Sequence, residues 1–307
     1  MIDKEKLKKS KTFCMLPFMH IYGSAGGDLV PCCEAQEIPL NEKGESAEQS
    51  WNNANYKELR RALANGERPA RCDVCWHNED SGIISNRLQW EKDNWNTFAD
   101  MIDVNDDYSV NNKPYWIELK VSNFCNLKCI MCSPHDSSLW VKDWLDVYPT
   151  IENKDLKQTM GWDNKGKMHG ANYNWHKDNP KFWDQLYEQI PHMYQLYFAG
   201  GESTIIEEHY TLLEEVIKRG YAKQIEVRYN SNGLEMPPRL FELWSHFKKV
   251  IFHYSVDSIG EMNDYIRYPS KWDHTVKQFH LLDNTGDNVE VTVACAVQAL
   301  NISYVPD

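Results

Sequence analysis

Residues 122 to 134 read SNFCNLKCIMCSP, which places Cys125, Cys129 and Cys132 within eight positions. Thiolates this close together are metal ligands. A disulfide takes two cysteines, a structural zinc site takes four ligands, and a closed [4Fe–4S] cubane takes four thiolates, one per iron. Three cysteines on one short loop would leave one iron of a cubane without a protein ligand. Such an iron is a Lewis acid with an open position, as in catalytic metal sites that keep a place for substrate. A zinc loop that borrows a distant fourth ligand has similar spacing, so the loop by itself leaves both readings open.

Of the nine cysteines, Cys14, Cys32, Cys33, Cys72 and Cys75 fall early and Cys295 stands alone. The opening MIDKEKLKKSK has no apolar run after its charges, so no secretory signal is expected, and its lysines read as a solvated tail. Without a signal, the cysteines point to a reducing compartment, the cytoplasm, where clusters of thiols hold metal more often than they pair. FCMLPFMHIYGSAGGDLVPCC (13–33) reads as two short strands around a Gly-rich turn, ANYKELRRALANGERP (54–69) as a helix stopped by Gly66, and RCDVCW (71–76) supplies a Cys-x-x-Cys. A hairpin with Cys-x-x-Cys also describes a zinc ribbon. His20 and His77 could in principle be ligands but are expected to be exposed polar residues beside this group.

These groups need a scaffold. YWIELKVS (115–122), QLYFAGG (195–201), IEVRYNS (225–231), VIFHYSVD (250–257) and VEVTVACAVQ (289–298) read as strands. Helical patterns separate them: EEHYTLLEEVIKRG (207–220), with acids early and a Lys-Arg-Gly end, PRLFELWSHF (238–247) and WDHTVKQFHLLDN (272–284). Strands alternating with helices imply an α/β fold with a parallel sheet and right-handed crossovers. Val250, Phe252, Tyr254 and Val256 fall on one face of their strand, with His253, Ser255 and Asp257 on the other. The remaining strands set Glu118, Lys120, Glu226, Arg228 and Glu290 against apolar neighbours in the same way. A sheet covered by helices on both faces would be apolar on both. One polar face therefore predicts a barrel whose lumen is wet, with ligands at the C-terminal strand ends. The polar lumen residues are candidates for proton transfer or substrate contact, or for pairing with one another as buried ions, and none is singled out as catalytic. Cys295 is expected on the helix-facing side as a buried structural thiol.

Three organisational segments follow: a cysteine-rich module over 1–90, a polar Asn/Asp-rich linker over 91–114 with a boundary near residue 105, and the strand–helix domain over 115–307. That domain carries an insertion at 133–193. SSLWVKDWLDVY (137–148) and PKFWDQLYEQI (180–190) in the insertion look helical and flank the irregular NKGKMHGANYNWHKDN. Trp140, Trp144, Trp162, Trp175 and Trp183 make it either a lid or binding element or a packed extension. At 42% hydrophobic residues and 12 tryptophans the 307-residue chain can bury a large core. Its formal charge of −12 argues against sequence-independent nucleic-acid binding, and VTVACAVQAL (291–300) is too short to span a bilayer.

Three further motifs stand at predicted strand ends: AGGES (199–203), YNSNG (229–233) and YSVDS (254–258). With Cys125-x-x-x-Cys129-x-x-Cys132 after the first strand, they resemble the radical S-adenosylmethionine (radical SAM) enzymes in type and order. The resemblance implies a partial (β/α)6, TIM-like barrel and a [4Fe–4S] cluster on Cys125, Cys129 and Cys132. Its open iron would be chelated by S-adenosylmethionine, which one electron cleaves to methionine and a 5′-deoxyadenosyl radical that abstracts a substrate hydrogen. Gly200 and Gly201 would permit close backbone approach, Glu202 would receive the methionyl ammonium, and Ser231 and Asn232 would lie beside the cofactor. Ser255 and Asp257 would meet the ribose, with Gln298 or Asn301 near the adenosine. A low-potential donor of flavodoxin or ferredoxin type is implied. The family pattern expects a sixth strand, so either the barrel is cut short after the fifth or the natural protein is longer; an unpaired edge beside an open cavity favours the latter.

The early module looks like the twitch or SPASM auxiliary-cluster module, placed before the barrel instead of after it. That resemblance implies a second [4Fe–4S] cluster on Cys14, Cys32, Cys72 and Cys75, with Cys33 as the alternative to Cys32, acting as an electron relay. Relatives with such modules often modify ribosomal peptides or protein side chains, and some oxidise carbohydrate alcohols. A maturase-like oxidoreductase acting on a peptide or small polar substrate is therefore expected. The alternatives are a carbohydrate- or nucleotide-modifying radical SAM dehydrogenase and a non-catalytic iron–sulfur or zinc scaffold.

Overall fold

The computed structural model describes residues 4–35, 47–161, 167 and 172–304. They fall into two compact units, one of Met1–Ser24, Asp28–Glu118 and Pro180–Tyr194, the other of Ala25–Gly27, Leu119–Asn179 and Gln195–Asp307. Among the described residues, no helix is long and apolar enough to cross a membrane.

The first unit contains the expected hairpin. Strand β1 (His20–Gly23) pairs antiparallel with β2 (Leu29–Val30), Tyr22 opposite Val30. Strand β3 (Trp116–Leu119) starts on the other side of β1, where Tyr115 N donates to Met19 O at 2.9 Å. The helix Ala54–Ala64 begins where Asn53 accepts from Tyr56 N, and the chain then turns at Gly66, whose φ of +86° suits a residue without Cβ. The stretch 91–114 differs from the linker expected there. Residues 91–98 complete the helix Asn86–Phe98, capped by Ser85, and Val104 bridges Val110. Aromatic spacing outweighs the polar count: Trp90 lies 4.0 Å from Trp116, Trp95 5.8 Å from Phe13 and Phe98 5.0 Å from Tyr194, centroid to centroid. The chain passes to the second unit between Glu118 and Leu119, inside β3.

The second unit is built on four parallel strands that neighbour one another in chain order: β4 (Gln195–Phe198), β5 (Glu226–Ser231), β6 (Lys249–Ser255) and β7 (Val289–Ala294). Ala199 N donates to Leu119 O at 3.1 Å, which sets the end of β3 beside β4. Helices Glu207–Lys218, Pro238–Trp244 and Trp272–Leu282 fill the connections where periodicity predicts them. A further helix, Gly260–Ile266, lies in a segment with no helical pattern marked for it. The apolar rows Val227–Tyr229 and Val250–Phe252–Tyr254 are buried, while Arg228, Asn230, His253 and Ser255 on the opposite face are not fully covered. Several polar-face side chains are paired, as Lys120 with Asp136 at 3.0 Å, Glu226 with Lys248 at 2.9 Å and Glu290 with Lys249 at 2.6 Å.

Strand β7 corrects one expectation. Cys295 is exposed rather than a buried structural thiol, and Val293 on the same row is 58% exposed. Val293 and Cys295 line a cavity with Trp272, Val276 and Phe279 of the helix Trp272–Leu282 instead of packing against it, so the row meets solvent despite its apolar pattern. In the insertion, Trp175 and Trp183 are buried and Trp140 and Trp144 half-buried, as a packed extension requires. Trp162 and residues 164–166 and 168–171 lie outside the described residues.

The core between β4, β5 and the helix Glu207–Lys218 holds a buried histidine. His209 Nε2 sits 2.8 Å from the Tyr229 hydroxyl, which also accepts from Trp244 Nε1 at 3.2 Å. Burial lowers the His209 pKa to about 3, with the Arg239 charge acting in the same direction. Unfolding frees the ring to bind a proton near pH 6.5, so His209's contribution is complete above that pH and is lost as pH falls toward 3. The expected slope approaches about 1.4 kcal/mol per pH unit. His209→Phe should lose about 1–3 kcal/mol at neutral pH, because the Tyr229 hydroxyl loses its acceptor. It should also flatten the decline between pH 6.5 and 4.5, checked by urea melts across that range.

Candidate functional site

The polypeptide after β3 is shaped by its partners. Glu202 N donates to Phe124 O at 2.8 Å and Gly201 N to Asp136 O at 3.1 Å, which clamps both ends of the cysteine loop to the end of β4. Gly200 and Gly201 have φ of +69° and +55°. A Cβ on Gly201 would lie 2.6 Å from the carbonyl oxygens of Ser122 and Phe124, so backbone meets backbone there and only glycine fits. Cys125 and Cys129 are buried against Leu127 and Leu234, with Cys132 packed beside them.

Glu202 is 1% exposed and joins the other motifs. Its Oε1 accepts from Ser231 Oγ at 2.8 Å and from Thr204 Oγ1 at 2.9 Å and N at 3.2 Å; Oε2 accepts from Asn232 N at 2.8 Å. Burial raises its pKa and the four donors oppose that shift. Oε2 carries a single donor and retains room for another. Asn232 Nδ2 reaches the cysteine loop, donating to Asn126 Oδ1 at 2.8 Å and lying 4.0 Å from Cys125 Sγ. The YNSNG turn closes tightly on Gly233, where a Cβ would strike the Tyr254 ring at 1.8 Å.

Strand β6 delivers Ser255, half-buried, and Asp257, whose side chain is fully buried. Asp257 Oδ1 accepts from Ala296 N at 2.8 Å, and Oδ2 lies 2.8 Å from Arg267 Nε without hydrogen-bond alignment. Asn301 is not open to a nucleoside: its amide is buried and donates to Asp257 O at 2.7 Å and Ala296 O at 3.0 Å. Gln298 is half-buried after β7 with its Nε2 unpartnered.

The thiols respond to this setting. Burial raises the Cys125 pKa to about 12, with the Glu202 carboxylate adding to it. Cys129 and Cys132 form a hydrogen-bonded pair in which Cys129 is lowered and Cys132 strongly raised. Burial opposes the fall at Cys129, the Arg267 guanidinium deepens it, and Asp257 counters in part. Arg267 Nη1 lies 3.8 Å from Cys129 Sγ. No sequence motif signalled Arg267.

In the first unit, Cys14, Cys32, Cys72 and Cys75 line one small cavity with Leu16, Leu63, Trp76 and Arg87. Burial raises each of three, Cys32 to about 12, Cys72 to about 11 and Cys14 well above the usual thiol range, and neighbouring thiols add to every shift. Cys33 does not line that cavity. Cys33 is exposed at the surface, and partial desolvation followed by the carboxylate of Glu118 raises its pKa; Glu118 is paired at 3.3 Å with His20, which is buried rather than exposed as expected. His77 does not line the cavity either. All nine cysteines are unpaired.

Among the described residues, no three His, Cys, Asp or Glu side chains converge closely enough to hold a single ion. A cubane asks less, since each thiolate meets a different iron and the ligands stand farther apart. The residues present fit such a group and a polar nucleoside beside it. The donor set is thiolate, the glycine cradle admits no Cβ, and Asp257 Oδ2, Ser258 Oγ and Gln298 Nε2 are buried without hydrogen-bond partners.

No family model and no curated protein matches this chain. Solved structures with some likeness include three of Streptococcus suis SuiB. SuiB bound to precursor peptide SuiA matches at 11% identity and a TM-score of 0.38, covering 80% of this chain and 52% of that one. SuiB alone matches at 13% and 0.35, over 80% and 50%, and SuiB bound to S-adenosylmethionine at 14% and 0.34, over 79% and 44%. The chain thus spans about half the length of the solved chains it matches. At these scores the likeness carries no weight, and the reading below rests on this chain's own residues.

Gly201→Ala forces backbone apart at the base of the cysteine loop and should cost more than about 2 kcal/mol. Gly66→Ala, with nothing within 4 Å of its added Cβ, should cost about 1 kcal/mol. Thermal melts of both variants check the difference, and equal losses would contradict the close approach.

Proposed function

We propose that the chain is a radical SAM enzyme whose second unit is a partial (β/α)6 barrel. One observation supports it above the others. Motifs from four separate strand ends converge, through Glu202 and Asn232 onto Cys125 and through Asp257 and Arg267 onto Cys129. On this reading Cys125, Cys129 and Cys132 hold a [4Fe–4S] cluster with one iron left for S-adenosylmethionine. When bound, the pair supplies a one-electron cleavage of the sulfonium that leaves a radical able to abstract hydrogen.

The chain's own residues then bind and orient. Gly200 and Gly201 bring backbone close to the methionyl end, and the free side of Glu202 Oε2 accepts from its ammonium. Ser231 and Asn232 hold the turn beneath it. Ser255, Asp257 and Gln298 offer polar atoms to the ribose and adenosine. Buried Leu127 and Leu234 around the thiols keep water from the cluster face.

Cys14, Cys32, Cys72 and Cys75 hold a second, closed [4Fe–4S] cluster in a twitch/SPASM-like module that relays electrons, and a flavodoxin- or ferredoxin-type donor feeds the system. The substrate is a peptide, a protein side chain or a small polar molecule from which hydrogen is abstracted. With seven of the nine cysteines as cluster ligands, the reducing cytoplasm is the compartment this reading favours.

Anaerobic reconstitution tests this. The wild-type chain should take up about eight irons, four per cubane, and release 5′-deoxyadenosine from S-adenosylmethionine under strong reductant. Replacing Cys125, Cys129 and Cys132 together by Ala should halve the iron and abolish the product. Full iron loading with no 5′-deoxyadenosine would overturn the enzyme. A separate pair of variants tests the closed site: Cys32→Ala should lose half the iron, whereas Cys33→Ala should keep it all.

A further inference from the structure

Arg267 stands just past the helix Gly260–Ile266, with φ −112° and ψ 50°, where the backbone leaves the helix. The residues on either side of it pair with the cysteine loop. Lys128 N donates to Tyr268 O at 2.7 Å and Ile130 N to Ile266 O at 2.9 Å, so two backbone bonds bracket Cys129. Trp140 Nε1 donates to Cys129 O at 2.9 Å and fixes its carbonyl as well. Lys128 ion-pairs with Asp143 and lies over the rings of Trp140 and Tyr268, at 5.4 and 5.5 Å from their centroids, which holds the outer side of the same loop.

Between these braces the Arg267 side chain turns inward, only 12% exposed. It approaches two groups, Asp257 Oδ2 at 2.8 Å and Cys129 Sγ at 3.8 Å. Asn263, 1% exposed, sets both ends of this chain: its Oδ1 accepts from Asp257 N at 3.2 Å and its backbone carbonyl from Arg267 N at 2.8 Å. A guanidinium withdrawn from water is costly unless its donors are used. Asp257 balances its charge as an ion pair, but without hydrogen-bond alignment to Nε. A neutral thiol is a weak acceptor, whereas a thiolate gives a charge-assisted hydrogen bond. The fork is therefore well used only when Cys129 is a thiolate, the form in which it ligates metal.

We propose that Arg267 is a positioning residue that ties the Cys129 thiolate to Asp257 and raises the electron affinity of the iron–sulfur centre held there. The proposal rests on the reading of Cys125, Cys129 and Cys132 as cluster ligands. A positive donor beside a ligand sulfur favours the reduced, more negative cluster, and hydrogen bonds to sulfur are among the factors that set cluster potential. Asp257 acts against it in charge while fixing the guanidinium in place. One arginine thereby links the strand end that faces the cofactor to the loop that carries the metal.

Potentiometric titrations of the full, reconstituted chain without S-adenosylmethionine provide the test. They follow the electron-spin resonance signal that changes when S-adenosylmethionine is later added. Arg267→Gln should lower the midpoint, cutting the ratio of reduced to oxidised cluster at a fixed potential about tenfold, equivalent to 59 mV for one electron. Asp257→Asn, which leaves the guanidinium unopposed, should move it the other way, and Arg267→Lys should recover part of the loss. Iron lost from Arg267→Gln but kept by Arg267→Lys would also support the role. An unchanged midpoint in Arg267→Gln at full iron content, or shifts of the same sign in Arg267→Gln and Asp257→Asn, would overturn it. If the wild-type chain shows no signal that depends on Cys125, Cys129 and Cys132, the cluster reading itself has failed, a result separate from either outcome.

Discussion

The second unit depends on a carboxylate placed where water cannot reach it. Glu202 is 1% exposed, and leaving a charge there without partners would cost several kcal/mol. The chain meets that cost with four donors from two segments, Thr204 on its own turn and Ser231 and Asn232 on the turn after β5. Hydrogen bonds to a charged group contribute about 1.5–3 kcal/mol each, so the carboxylate is held by the turns and the turns are held by it. Asn232 extends the link to Asn126 and Cys125, and Glu202 N holds Phe124 O. Three strand ends, one of them carrying the cysteine loop, are thus referred to one buried carboxyl group.

Parallel strand order explains why so much of this was legible in the sequence. Strands that follow one another in the chain and lie side by side in the sheet end at the same edge. Cysteines after β3, Gly-Gly-Glu after β4, Ser-Asn-Gly after β5 and Asp257 after β6 therefore meet although up to about 130 residues separate them, a distance in sequence that the parallel order makes irrelevant. Alternation also marked the strands and their apolar faces, and Gly66 and Lys-Arg-Gly at 218–220 marked helix ends that are present. The hairpin around GSAGGD was equally plain, because Gly27 adopts a positive φ of +87° in its turn.

What stayed hidden has a common cause: it depends on contacts that no local pattern encodes. Arg267 sits in IRYPS, a stretch with no helical or strand period, and becomes important only because the cysteine loop pairs with its backbone. The polar run at 91–114 looked like a connector, yet its tryptophans and Phe98 find aromatic partners far along the chain. Cys295 shows the reverse error. Its strand alternates as a buried strand should, but alternation records which residues share a face and says nothing about whether anything covers that face. Choosing between Cys32 and Cys33 was equally beyond spacing, since adjacent residues after β2 point to different neighbours. One faces the other thiols and one faces Glu118.

The two groups of thiols differ in a way that bears on what each can do. In the first unit burial in a cavity lined by Leu16, Leu63 and Trp76 raises the pKa of Cys14, Cys32 and Cys72, and neighbouring thiols add to each of these shifts. On the proposed reading these four thiols would ligate a closed cluster, whose four protein ligands would leave no position for a substrate. In the second unit three thiols share their space with Glu202, Asn232 and Arg267, and the influences are mixed: burial and then the Glu202 carboxylate raise Cys125, while the hydrogen bond with Cys132 and then the Arg267 guanidinium lower Cys129. If these thiols are cluster ligands, as proposed, such unequal surroundings would suit a centre in which one corner binds something other than protein. The asymmetry that the count of three cysteines suggests is therefore repeated in the electrostatics around them.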